Sequence, residues 1–108
     1  MKNKTATLKS QQGDVILRKL PAMPDGKRER IAKGRCILAH GESGHSHVVE
    51  DDTAELTRIG ARMLLEIFQP AAVVHEEHKQ FTLAPGVWEV GRVREFDYLT
   101  KMARPVQD

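Results

Sequence analysis

The segment DDTAELTRIGARMLLEIFQP, residues 51–70, does most to decide what this chain folds into. Leu56, Ile59, Met63 and Ile67 fall at helical spacing, Asp52 with Glu55 has the form of a capping box, and Pro70 would end a helix. Gly60 stands in the middle. A turn at Gly60-Ala61 divides the segment into AELTRI and RMLLEIF, each of ordinary strand length. The flanking sequence settles the choice. Val15-Ile16-Leu17 is a short β-type run entered through Gly13-Asp14, and RCILAH (35–40), SHVVE (46–50) and Val73-Val74-His75 read as strands. KQFTL (79–83), the turn Ala84-Pro85-Gly86 and VWEVGRVREF (87–96) read as a hairpin. The expected fold is all-β, a small single-domain barrel or sandwich of about seven short strands. Residues 53–68 are the one place where a helix competes.

A chain of 108 residues suits one domain, 1–108, and the polar ends 1–12 and 98–108 read as flexible tails. Apolar residues make up 40% and charged residues 30%, the balance of a soluble globular protein rather than a disordered one. A domain this small buries a modest core, so a metal or a partner subunit is a natural source of extra stability. The net charge of +2 is too small to imply a nucleic-acid partner by itself. With one cysteine, Cys36, no intrachain disulfide forms and a reducing compartment follows. MKNKTATLKSQQGDV has no apolar signal-peptide core and no run is long enough to cross a bilayer, so a cytoplasmic protein without a membrane partner is expected.

The histidines are the chemical signal. All five lie in two knots, HGESGHSHVVEDD (40–52) and His75-Glu76-Glu77-His78. If Gly41-Glu42-Ser43-Gly44 is a hairpin loop, His40 lies opposite His45, Leu38 opposite His47, Cys36 opposite Val49, and Arg35 opposite Glu50 as an ion pair. That register puts His40, His45 and His47 on one face, with opposed Cβ atoms roughly 5 Å apart and neighbours along a strand about 7 Å apart. A slip of one residue scatters them. Three imidazoles at such separations can converge on one metal ion, and clustered protonated histidines repel unless something binds there. His75 and His78 fall on opposite faces of a regular strand, and a bulge or tight turn at Glu76-Glu77 brings them to the same side. Glu42, Glu76 and Glu77 are the candidates for an extra ligand or for a general base beside a metal-bound water. Zinc, nickel, iron and copper all suit imidazole donors, and the sequence does not choose among them. Three histidines plus water make an open site; a fourth protein ligand makes a structural one. Cys36 falls on the histidine face but is expected to pack as a small apolar residue.

GHSHVVEDD resembles part of the first cupin motif, in which a glycine-led strand carries His-x-His and then a glutamate. The resemblance implies that His45 and His47 are the paired histidines, Glu50 or Asp51 the carboxylate, and His75 or His78 the later histidine. Ala39 stands where the leading glycine belongs, and Pro85-Gly86 follows His78 rather than preceding it. HGESGHSH, HEEH and APGVWEVGRVREFDY together are similar to small uncharacterised proteins of bacteria and their phages, a group that implies no activity.

Two other readings stand beside the metal site. One is a non-enzymatic interaction or assembly protein, phage-related, with structural histidines and open strand edges that favour a homo-oligomer. The other is a nucleic-acid-binding β-domain using Lys27, Arg28, Arg30, Lys33 and Arg35. Charged runs are usually solvated faces and aromatic residues are only 5%, so this reading is the weaker.

Overall fold

Gly60 takes φ +61°, and its turn with Ala61 joins two antiparallel strands in which Ile59 faces Arg62. Left-handed φ is cheap for glycine and costs other residues roughly 1–2 kcal/mol. A Cβ added there would meet nothing within 4 Å. Gly60→Ala is therefore expected to lose about 1 kcal/mol from backbone strain alone. Urea unfolding checks this, and Gly60→Asn should lose less because asparagine tolerates the conformation.

A computed structural model describes residues 5–40 and 46–93, His40 by its backbone only. Every regular element described is a strand: β1 (Thr5–Ala6), β2 (Lys9–Gln12), β3 (Val15–Leu20), β4 (Glu29–Lys33), β5 (Cys36–His40), β6 (Ser46–Glu50), β7 (Glu55–Ile59), β8 (Arg62–Ile67), β9 (Ala71–His75), β10 (His78–Leu83) and β11 (Gly86–Arg92). The chain is all-β, with the split at Gly60 as expected and eleven strands in place of about seven. Residues 5–12, read from sequence as part of a tail, supply β1 and β2. Their polar side chains are mostly exposed, so they carry almost no apolar pattern. Residues 98–108 lie outside the described residues. No described helix is long and apolar enough to cross a membrane.

Two sheets pack face to face. One runs β1-β10-β9-β6-β5 and the other β2-β3-β11-β8-β7-β4. Their inner faces bury Cys36, Leu38, Val49, Val73, Phe81 and Leu83 against Val15, Leu17, Leu56, Leu65 and Trp88. Cys36 is fully buried, donates from Sγ to Gly34 O at 3.0 Å, and has its thiol pKa pushed up by that burial. It is a core residue. The connection 21–28 leaves β3 and reaches β4 at the far edge of the six-stranded sheet. Gly26 rests on Ile59 on the sheet's outer side.

The expected hairpin of residues 79–96 is corrected. β10 pairs with β9 and β1 in one sheet, whereas β11 pairs with β3 and β8 in the other. Ala84-Pro85 is a corner between sheets, not a hairpin turn. Ala84 N–H bonds to Ala6 O at 2.9 Å, and Trp88 Nε1–H donates to Ala84 O at 2.9 Å. These bonds turn the chain so that the Trp88 ring enters the core. A hairpin would have left the ring and Phe81 in one layer.

Candidate metal centre

The sheet order brings the second strand of the first histidine knot beside the second knot. β6 pairs with β9 through Val48↔Val74 and Val49↔Val73, so continuing the register sets His47 level with His75. β9 pairs with β10 through His75↔His78. Three histidines therefore stand in a row across three adjacent strands. Their ring centroids are 4.3 Å apart for His47–His75, 4.6 Å for His75–His78 and 5.9 Å for His47–His78. His47 and His75 share their strand faces with the core residues Val49 and Val73, so their rings belong to the inner side at one end of the sandwich.

The turn Glu76-Glu77 is what places His78. No described non-glycine residue has positive φ, so this turn lacks the backbone of the primed hairpin turns that match strand twist. The mismatch is taken up directly afterwards. β10 shifts register between His78 and Phe81 before pairing with β9 resumes. The shift turns the carbonyl of Lys79 to a side-chain donor, the Gln12 amide, which bonds it at 2.9 Å. His75 Nδ1 accepts the Glu77 N–H at 3.0 Å.

The opposite sheet closes the site. Gln12, at the end of β2, is buried and sends its amide across to His47, with Oε1 2.9 Å from Nδ1. Gly13 follows at φ +58°, and a Cβ there would sit 2.7 Å from His78 Nε2 and 3.3 Å from His47 Cε1. Only a glycine allows the turn to approach the two rings this closely. Beside it Asp14 Oδ2 accepts from Arg92 Nε at 2.9 Å.

These surroundings keep His47 neutral. Only 4% of its surface is exposed. Burial, then the neighbouring His75 and His78, then Arg92, push its pKa down from 6.5 to about 4, against the smaller opposing pull of Asp14. Neutral imidazole is the metal-ligating form of histidine. Among the described residues, no group of three or more His, Cys, Asp or Glu side chains is placed to hold a metal ion. The rings lie at 11° to 42° to one another, and His75 Nδ1 faces the Glu77 N–H.

The remaining sequence candidates divide clearly. His40 pairs with Ser46 rather than with His45, and Ala39 rather than Leu38 pairs with His47. The cause is a bulge between Ile37 and Ala39, which keeps both Leu38 and Ala39 in contact with the core. Cys36↔Val49 holds as expected, and Arg35 reaches Glu50 at 3.4 Å. Glu42 and His45 lie outside the described residues. Glu76 and Glu77 are exposed in the turn. Of the carboxylates suggested by the cupin resemblance, Glu50 is tied to Arg35, and Asp51 accepts from Thr53, Ala54 and Gln69 to hold its own turn. Lys27, Arg28, Arg30, Lys33 and Arg35 are exposed along and around the edge strand β4. Arg30 lies 3.7 Å from Glu55. Sequence reasoning missed Gln12, which is 35 residues from His47 and carries no local signal.

Residues 11–93 match the model of a family described as a domain of unknown function, DUF8820. No curated protein and no solved structure gives a significant match.

Proposed function

We propose that this chain, which belongs to the DUF8820 family, is a β-domain that binds a divalent transition metal through His47, His75 and His78. The observation that carries the reading is the spacing of the three rings. A metal about 2.0–2.1 Å from an imidazole nitrogen lies about 3.2 Å from the ring centroid, so tetrahedral ligands have centroids about 5 Å apart. The separations of 4.3, 4.6 and 5.9 Å bracket that value. The reading requires His75 and His78 to rotate about their soft terminal torsions toward a His47 ring that Gln12 holds in place. His75 joins by exchanging the Glu77 N–H for the metal.

Three nitrogen ligands suit zinc, nickel, copper or iron rather than magnesium or calcium. A fourth position left to water would give Lewis-acid or water-activating chemistry, and one filled by protein would make the metal structural. The competing readings have less support. The edge strands β4 and β5 both carry register shifts, and β4 is charged, features that discourage edge-to-edge assembly. In the basic stretch Arg30 and Arg35 are paired with carboxylates.

Thermal unfolding with zinc, nickel or copper tests the proposal. At a metal concentration of about 100 Kd the expected stabilisation is about 2.7 kcal/mol, a Tm rise of about 10–20 °C. His78→Ala should remove most of that rise. His78 is exposed, so this variant should unfold like wild type in chelator. An equal rise in wild type and variant would refute the assignment.

A further inference from the structure

We infer that Gln12 is a positioning residue that fixes the proton of His47 on Nδ1 and presents the Nε2 lone pair as the ligating atom. Its functional meaning rests on the metal reading, but its evidence is independent of any metal. The Gln12 amide has two donors and one acceptor oxygen. Nε2 faces Val73 O at 3.1 Å and Lys79 O at 2.9 Å. Both are carbonyls and accept only, so the amide nitrogen must point at them. The orientation of the side chain is thereby determined, and the atom 2.9 Å from His47 Nδ1 is Oε1, an acceptor. His47 Nδ1 must donate. A neutral ring has one N–H, so Nε2 carries the lone pair.

The arrangement depends on three separate parts of the fold. Gln12 comes from β2 of one sheet, while Val73 on β9 and Lys79 on β10 belong to the other. The register shift in β10 supplies the Lys79 carbonyl. An outer residue that accepts from the far nitrogen of a histidine ligand sets its tautomer and orientation, and removing such a residue typically lowers metal affinity 10–100-fold. Free histidine in water prefers the proton on Nε2, so without Gln12 a bound metal would first have to shift the tautomer.

Long-range ¹H–¹⁵N NMR of the metal-free protein reads the tautomer directly. The expected His47 signature is a protonated-type Nδ1 and an unprotonated-type Nε2 at neutral pH. Gln12→Met should move the ring toward the Nε2–H form and weaken zinc binding 10–100-fold. A wild-type His47 with its proton on Nε2 overturns the inference with no variant needed, even if Gln12→Met fails to fold. An unchanged tautomer and unchanged zinc affinity in folded Gln12→Met overturns it equally. Failure of wild type to bind metal while the Nδ1–H signature is present would contradict the function proposed above and support the tautomer assignment.

Discussion

Trp88→Ala is expected to cost about 3–5 kcal/mol, a large part of the 5–15 kcal/mol that holds a typical domain folded. Trp88 is fully buried at the centre of the inner face of β11. Leu65 stands beside it on β8, and the opposite sheet lies across it. Its loss leaves a cavity that β-strands held from both sides cannot collapse to fill. The Nε1–H bond to Ala84 O also fastens the corner where the chain passes between sheets. Trp88→Phe keeps most of the apolar volume and loses that bond, so about 1–2 kcal/mol is expected. Urea unfolding followed by far-ultraviolet circular dichroism separates the two variants. A loss under 1 kcal/mol for Trp88→Ala would show that the ring is not the centre of the core.

The second large effect is a loss of stability on mild acidification of the metal-free protein. His47 has its pKa lowered from 6.5 to about 4 by burial, by His75 and His78, and by Arg92, with Asp14 opposing. The unfolded chain therefore binds a proton in a range where the folded chain does not. Stability rises with pH wherever the unfolded state holds more protons, so it falls as pH drops from 6.5 to 4. Above 6.5 and below 4 this group contributes no slope. The full difference is about 3 kcal/mol. Most of this window lies above the carboxylate range: Glu89 is held below its ordinary value by hydrogen bonding to Arg62, and Asp51, despite burial, by bonds from Thr53 and Gln69, so the stability they contribute is lost toward lower pH. Urea unfolding in chelator at half-unit steps of pH reads the slope. His47→Asn should flatten it between pH 4 and 6.5, and an unchanged slope would mean that His47 titrates alike in both states.

Much of the fold was legible because glycine and period-2 patterning act locally. Gly60 outweighed the helical spacing of Leu56, Ile59, Met63 and Ile67, since a left-handed turn there gives both halves a buried face. Cys36 packed as an apolar residue for the same local reason. β1 and β2 escaped notice because a mostly polar edge strand shows no alternation. The β10–β11 relationship was misread because a corner between sheets and a hairpin use the same punctuation, here Ala84-Pro85-Gly86. Only pairing with distant β3 and β9 tells them apart.

The candidate site was half legible. Histidine clustering pointed to His47, His75 and His78, which the fold brings together, and the tight turn at Glu76-Glu77 was anticipated as the means of joining His75 and His78. The grouping differed because a single bulge at Leu38 moves His40 opposite Ser46, a one-residue event that sequence patterning does not encode. His47 instead meets the second knot, through strand order rather than through its own hairpin. Gln12 and Gly13 reach the histidines from the other sheet, so nothing short of the tertiary fold identifies them.

Metal content per chain after equilibrium dialysis against zinc is the most direct test of the central claim, made on untagged protein beside a His47→Asn/His78→Ala double variant. The account predicts close to one zinc per chain in wild type and none in the variant. Wild-type protein that stays metal-free with zinc, nickel, copper and iron in turn, or a double variant that retains the metal, would contradict it.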